Sequence, residues 1–255
     1  MGSQPWERKK IIKDTARIVK YLTLGRFRDA IWWSKWAFGY YSESWYKSLF
    51  SQAEYHQISG EITPAYSILE ANDIARIKAV NPNIKLIYMI RNPIDRAWSA
   101  IRFEISRGNL NIDVNSDNEI ISQLQSKGMT LGGDYERTID NYLKHFDSSQ
   151  MLVCFYDAIQ ADPIDLMSEI TKFLNISPFA KNTINHQKIV NSSPFSEMPS
   201  SVKDYLTETY APMIKRLAVR FGSYAKLWEK SLNDSELTAL NTNTESQYIT
   251  AIHPY

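Results

Sequence analysis

The chain has 255 residues, enough for one sizeable α/β domain with a buried core, and its composition is that of an ordinary globular protein. The formal net charge of +1 excludes the broad basic surface typical of nucleic-acid-binding proteins, and no apolar run is long enough to predict a membrane span. The single cysteine, Cys154, excludes an internal disulfide, and the first residues lack the apolar core of a secretory signal, so a cytoplasmic location is expected.

The first 64 residues are predicted to be mostly helical. Residues 7–30 form a basic stretch with a rough apolar stripe, made of Ile11, Ile12, Ile18, Val19 and Leu22. Residues 31–50 are rich in aromatic side chains, which predicts either a core-packing helix and turn or one wall of a cleft for an acceptor substrate. A short helix is expected over 43–55, and Thr63 with Pro64 is typical of the start of another helix.

The middle of the chain contains a helix–strand–helix pattern. A helix is predicted over 73–80, and the short, β-branched run 84–90 is typical of a buried parallel strand. Asn92 and Pro93 then provide a cap and a first-turn residue for a second helix.

The second half of the chain continues the alternation of helices and strands. Further helices are predicted over 135–146, 163–174 and 202–221, the last interrupted at Pro212, and a second buried strand over 151–156. The polar residues 109–131 are interpreted as an irregular excursion, 180–200 as a loop, and 233–255 as a loose tail. The pattern predicts a parallel sheet flanked by helices, in a single domain over 1–255.

The segment after the first predicted strand is the strongest candidate for a binding site. It reads Arg91-Asn92-Pro93-Ile94-Asp95-Arg96-Ala97-Trp98-Ser99. The strand delivers Arg91 to the carboxyl end of the sheet, where ligands of α/β proteins bind, and the next helix points its free N–H groups there. Arg91 offers a planar fork for phosphate oxygens, and Ser99 adds a hydroxyl. Additional positive charge is expected from Arg96, Arg102 and Arg107. The alternative is a surface helix with solvated arginines.

This segment resembles the 3′-phosphate-binding motif of sulfotransferases that use 3′-phosphoadenosine-5′-phosphosulfate (PAPS). The resemblance implies that Arg91 and Ser99 bind the 3′-phosphate of PAPS, and that the fold is the P-loop-nucleotide-like sulfotransferase architecture. The resemblance covers about residues 45–228, and further matching segments are Trp45–Phe50, Gly60–Tyr66, Gly133–Tyr135, Phe155–Asp157 and Phe173–Ile176. Lys188 and Asn191 lie where the family has a loop that covers the donor, which implies contacts with PAPS.

Two family features have no counterpart in this sequence. The strand–loop–helix motif Gly-x-x-Lys-x-Gly-Thr, which holds the 5′-phosphosulfate in the family, is absent. Residues 126–130 resemble it only weakly. The usual glutamate base in Lys-Glu-x-x-Phe-Phe is also absent, which leaves Glu61 as the best remaining carboxylate. Glu61 has an alternative role in packing at a helix start. A truncated or a degenerate relative fits this departure.

Three functions remain open from the sequence. The first is PAPS-dependent sulfuryl transfer to a hydroxyl or amine, with a small-molecule or carbohydrate acceptor, as the resemblance of residues 61–66 to heparan-type members implies. The second is an inactive relative that binds only the 3′-phosphate end of the nucleotide. The third, a P-loop kinase, ranks last because Gly-x-x-x-x-Gly-Lys-(Ser/Thr) is missing. The four histidines show no metal spacing, so no metal is expected, and the sequence sets no oligomeric state.

Overall fold

A computed structural model describes residues 5–178 and 197–232 of the chain. The chain divides into two compact units, Met1–Pro64 and Ala65–Tyr255. In the described part, no helix is both long and apolar enough to cross a membrane.

The first unit contains three helices, α1 (Pro5–Thr23), α2 (Phe27–Phe38) and α3 (Glu43–Leu49). Residues 7–30 are helical as expected, except for the turn between α1 and α2. Gly25 lies in this turn with φ +69°, a left-handed conformation that costs glycine little. The α3 helix is shorter than expected and begins after Ser42, whose hydroxyl accepts a hydrogen bond from the Trp45 amide.

Aromatic side chains of residues 31–50 connect α2 to α3. The Trp32 indole N–H donates to the Leu49 carbonyl at 2.9 Å, and the Trp45 indole N–H donates to the Lys35 carbonyl at 2.6 Å. The Trp36 and Trp45 rings lie 6.1 Å apart. Core packing therefore accounts for part of the aromatic run, as one of the two interpretations predicts.

The second unit alternates helices with two strands. Its helices are α4 (Ala71–Val80), α5 (Pro93–Ser106), α6 (Asp117–Leu124), α7 (Lys127–Gly133), α8 (Tyr135–Leu143), α9 (Asp157–Ala161), α10 (Pro163–Leu174), α11 (Ser200–Phe221) and α12 (Ser223–Ser231). Its strands are β1 (Leu86–Ile90) and β2 (Met151–Phe155), and single 3₁₀ turns lie at Pro64–Ile68 and Ser148–Gln150. The structure thus has a 3₁₀ turn where Thr63 and Pro64 predict a helix start.

The two strands pair in parallel, with Leu86 opposite Met151 and Ile90 opposite Phe155. The predicted parallel α/β architecture is therefore confirmed. The expected burial of β1 is only half right, because Ile87 and Met89 remain 41% and 37% exposed. Within residues 5–178 and 197–232 the sheet has only these two strands. On the side where α9 and α10 pack against β2, Ile87 and Met89 are less covered than their partners Leu152 and Cys154.

The two faces of the sheet pack against different helices. Met151, Val153 and Phe155 belong to the main core, together with buried side chains of α5, α8, α11 and α12. Leu152 and Cys154 point to the opposite face and pack against Ala158 and Leu166, on α9 and α10. Both faces of β2 are thereby buried, which is the usual condition of a parallel strand.

Two segments of the second unit differ from expectation. The polar residues 109–131, expected to be irregular, contain α6 and most of α7; Ser116 caps α6, and Ile120 and Leu124 bury one side of it at a four-residue spacing. The expected interruption at Pro212 is also wrong. The α11 helix continues through this proline, since Tyr210 and Met213 beside it are buried and hold both halves of the helix to the core.

Candidate functional site

The carboxyl ends of β1 and β2 bring Arg91 and Tyr156 together. The Tyr156 amide donates to the Ile90 carbonyl at 2.7 Å, which extends the pairing of the two strands by one residue. The guanidinium carbon of Arg91 lies 4.9 Å from the centre of the Tyr156 ring. A cation over a tyrosine ring is attracted by the ring quadrupole, so Tyr156 limits where the Arg91 side chain can go. Arg91 is only half-buried and remains accessible to an anion.

Tyr135, the first residue of α8, fixes the main chain of Arg91. Its hydroxyl donates to the Arg91 carbonyl at 2.8 Å and accepts from the Arg91 amide at 3.4 Å. The Tyr135 side chain is buried, and burial raises the pKa of the hydroxyl well above its usual range although Arg96 opposes the shift. The hydroxyl therefore stays protonated at physiological pH and keeps its donor role.

We predict that Tyr135→Phe destabilises the second unit by about 1–3 kcal/mol, because it leaves the Arg91 carbonyl without its donor in a buried setting. Urea denaturation measures this loss. Tyr205→Phe is the matched control, since no hydrogen bond of the half-buried Tyr205 hydroxyl is found in the described region. Equal stability of Tyr135→Phe and Tyr205→Phe would contradict a holding role for the Tyr135 hydroxyl.

The N-terminus of α5 offers fewer free donors than expected. Asn92 caps this helix, and its side-chain oxygen accepts from the Ile94 amide at 3.0 Å. Pro93 has no amide hydrogen. The first two positions of the helix are therefore unable to bind an anion through N–H groups, and anion binding at this end depends mainly on the Arg91 side chain.

Ser99 lies farther along α5, about 9 Å from Pro93 along the helix axis at 1.5 Å per residue. It is half-buried. Its spacing of seven residues from Asn92 places the two on the same side of the helix. Ser99 therefore lies on the side of α5 where Asn92, the sequence neighbour of Arg91, caps the helix.

The other arginines of this region have structural contacts. The Arg96 guanidinium donates to the Met129 carbonyl at 2.9 Å and packs against Gly133, where an added Cβ would lie 3.1 Å from it and 2.5 Å from the Tyr210 hydroxyl. The Arg107 guanidinium stacks on Phe103 at 4.3 Å. Arg96 thus holds α7 to α5, while its charge still acts on the Tyr135 hydroxyl beside Arg91.

Carboxylates and a lysine complete the electrostatics around Arg91. The pKa of Asp95 is raised, mainly by desolvation and also by Asp157, whereas Arg91 and Lys203 lower it. Asp157 is held by the Trp228 indole N–H at 3.1 Å. Lys203, on α11, is a cation that sequence reasoning missed, since it lies more than 100 residues beyond Arg91 and no motif marks it.

Three further predicted residues belong to other parts of the chain. Glu61 belongs to the first unit, where its carboxylate accepts hydrogen bonds from the hydroxyls of Tyr46 at 2.5 Å and Thr63 at 3.4 Å. Lys188 and Asn191 lie outside the described residues, as does most of the loop expected over 180–200 and all of the tail over 233–255. Residues 126–130, which weakly resemble the phosphosulfate-binding motif, lie mainly in α7 and follow no strand.

Within the described ranges, no group of three or more histidine, cysteine, aspartate or glutamate side chains could hold a metal ion. That the chain needs no metal is still a prediction from the spacing of its histidines.

The chain resembles several known proteins. A family model described as a sulfotransferase domain matches residues 71–237. Human heparan sulfate glucosamine 3-O-sulfotransferase 3B1 is 27% identical over 52% of this chain and 35% of its own length. Human bifunctional heparan sulfate N-deacetylase/N-sulfotransferase 2 is 27% identical over 41% of this chain and 13% of its own length. The chain thus spans about a third or less of these relatives.

A crystal structure of a sulfotransferase from Alicyclobacillus acidocaldarius has a similar fold. The superposition of the two structures covers 70% of each chain, with a TM-score of 0.55 and 23% sequence identity. The family match includes β1 and β2, which Arg91 and Tyr156 directly follow, and α5 and α8, which contain Ser99 and Tyr135.

Proposed function

The chain belongs to the sulfotransferase family, and we propose that it transfers a sulfuryl group from PAPS to a hydroxyl or amine of a carbohydrate acceptor. The observation that carries the proposal is the position of Arg91. It is the first residue after β1, its main chain is fixed by Tyr135, and its guanidinium lies half-exposed beside Tyr156. This arrangement suits an anion at the carboxyl end of the sheet.

Arg91 would hold the 3′-phosphate of the donor, and Ser99 would add a hydroxyl bond from the same side of α5. A guanidinium binds a phosphate through two parallel N–H···O bonds, so it fixes orientation as well as supplying charge. The half-buried setting of Arg91 strengthens such a bond relative to one fully in water. Lys188 and Asn191 are proposed as further donor contacts, on the family resemblance alone.

The proposed reaction is an in-line displacement at sulfur. The acceptor oxygen or nitrogen forms a bond to sulfur while the bond from sulfur to the 5′-phosphate oxygen breaks, and 3′-phosphoadenosine-5′-phosphate leaves. The acceptor proton passes to a base, for which Glu61 is our candidate. Positioning and stabilisation of charge supply most of the rate in transfers of this kind, so anchoring of the leaving nucleotide at Arg91 is the contribution we assign to the second unit.

A carbohydrate acceptor is supported by the relatives, whose names specify heparan sulfate and glucosamine. A cytoplasmic location is also part of the proposal. It is supported by the cysteine content, since the single cysteine, Cys154, is buried and allows no internal disulfide.

A transfer assay tests this function. The full chain is incubated with sulfur-labelled PAPS and an oligosaccharide of glucosamine residues, and the same oligosaccharide with acetylated hydroxyls and amines is the control. We expect label on the free oligosaccharide only, and less of it with Arg91→Ala. Absence of transfer in a protein that still binds the nucleotide would contradict the catalytic proposal.

Nucleotide binding without transfer would favour a nucleotide-binding relative that lacks transfer activity. The specific observation in favour of this alternative is the sequence itself, which contains no Gly-x-x-Lys-x-Gly-Thr. Arg91 and Ser99 account for the 3′ end of the donor, whereas the described residues provide no comparable set for the 5′-phosphosulfate.

A further inference from the structure

The α1–α2 hairpin exposes an unusual amount of apolar surface. Eight large apolar residues of this segment are each between 47% and 69% exposed, namely Ile11, Ile12, Val19, Leu22, Leu24, Phe27, Ile31 and Phe38. Single exposed apolar residues are common on protein surfaces, but a contiguous patch indicates contact with an apolar partner.

The exposed residues form one ridge on each helix. On α1, Ile12 and Val19 are seven residues apart, and Leu22 follows Val19 by three. On α2, Ile31 follows Phe27 by four residues and precedes Phe38 by seven. Spacings of three, four and seven place side chains on the same side of a helix.

Both ridges lie on the same face of the hairpin. The helices are joined by a short turn and pack against each other, with the Arg17 guanidinium 4.0 Å from the Trp33 ring centre. In each helix an exposed apolar residue directly follows a more buried one, Val19 after Ile18 and Ile31 after Ala30. One residue turns the helix by about 100°. Because the two helices are antiparallel, this step carries both exposed side chains to the same face.

The polar surface of the hairpin is basic. Residues 11–38 contain six lysines and arginines but two acidic residues, a net charge of +4 in a chain whose total is +1. Lys13 and Lys20 each follow an apolar ridge residue, Ile12 and Val19, by one position, so they flank the ridge on α1. Long basic side chains beside an apolar face can reach back to anionic groups at its border.

We propose that the apolar face of the α1–α2 hairpin docks on the surface of a bilayer that contains anionic lipids. The helices lie in the plane of the interface, with Val19, Phe27 and Ile31 inserted at the border between headgroups and acyl chains, and the basic flank binds the lipid phosphates and carboxylates. An apolar helix face flanked by lysines and carried on a segment with a net positive charge is the pattern of helices that lie on an anionic membrane surface. A purely apolar protein partner would leave the basic flank without a role.

Vesicle co-sedimentation of the full chain tests this proposal. We expect the wild type to sediment with vesicles of phosphatidylcholine and phosphatidylserine, and less with phosphatidylcholine alone. Val19→Asp and Phe27→Asp should each weaken binding roughly tenfold or more. Each variant removes an apolar side chain that would be buried in the bilayer and adds a negative charge that the anionic lipids repel. Lys13→Gln with Lys20→Gln should reduce the preference for phosphatidylserine. Val219→Asp is the matched control, since Val219 is an exposed apolar residue of α11 in the second unit.

Three results would overturn the proposal. The first is equal sedimentation of the wild type with and without vesicles. The second is an equal loss of binding in Val219→Asp, which would mean that added negative charge acts without regard to position. The third is a wild-type dimer in light scattering that Val19→Asp dissociates while vesicle binding is absent, which would assign the face to a second copy of the chain.

Discussion

Replacing Arg91 with alanine is expected to abolish most of the preference of the chain for a nucleotide with a 3′-phosphate. A hydrogen bond to a charged group is worth roughly 1.5–3 kcal/mol. The loss of one such bond between the Arg91 guanidinium and the 3′-phosphate corresponds to about tenfold to hundredfold in the dissociation constant of 3′-phosphoadenosine-5′-phosphate. Isothermal titration of wild type and Arg91→Ala measures it. Affinity for adenosine 5′-phosphate, which lacks the 3′-phosphate, should change little.

Three further variants locate this effect. Arg91→Lys should recover only part of the preference, since an ammonium lacks the planar fork. Ser99→Ala should lose less than Arg91→Ala, since it removes one neutral donor. Arg107→Ala is the matched control, because Arg107 is an exposed arginine at the end of the same helix and stacks on Phe103. An equal loss in Arg107→Ala would show that general charge, rather than a site at Arg91, attracts the nucleotide.

Phe155→Ala is expected to have the largest effect on stability, about 3–5 kcal/mol, as is typical of a buried phenylalanine. Phe155 ends β2 and is 2% exposed. Its ring lies 6.3 Å from Phe221, 5.7 Å from Tyr224 and 5.3 Å from Trp228, so it joins the sheet to α11 and α12. Removing it leaves a cavity among three aromatic rings directly behind the candidate site. Denaturant unfolding followed by tryptophan fluorescence measures the loss.

Phe103→Ala provides the comparison for this prediction. Phe103 lies on α5, is 39% exposed and contacts Arg107 on the surface, so its removal should cost far less than that of Phe155. Similar losses for the two variants would mean that Phe155 is not the packing link between the sheet and the C-terminal helices.

Local sequence signals predicted several elements of the second unit. The α10 helix has the predicted bounds because Asp162 caps it, Pro163 begins it and Asn175 ends it in a left-handed conformation with φ +57°. The same logic at Asn92 and Pro93 predicted the start of α5. Short apolar runs predicted both strands to within two residues.

Features that depend on distant contacts were not predictable in this way. Tyr135 bonds to Arg91 across 44 residues, and the charge of Lys203 acts on Asp95 across more than 100, so no local pattern marks either. The contact of the Arg96 guanidinium with the Met129 carbonyl was not predictable either, since it depends on the close approach of α7 at Gly133. Pro212 failed as a helix breaker because tertiary packing outweighed its local cost.

The most direct test of the candidate site is isothermal titration of the wild-type chain with two nucleotides that differ only in the 3′-phosphate. We expect 3′-phosphoadenosine-5′-phosphate to bind about tenfold to hundredfold more tightly than adenosine 5′-phosphate, because Arg91, fixed at the end of β1 by Tyr135, is available to the 3′-phosphate. Equal affinity for the two nucleotides would contradict a 3′-phosphate site at Arg91.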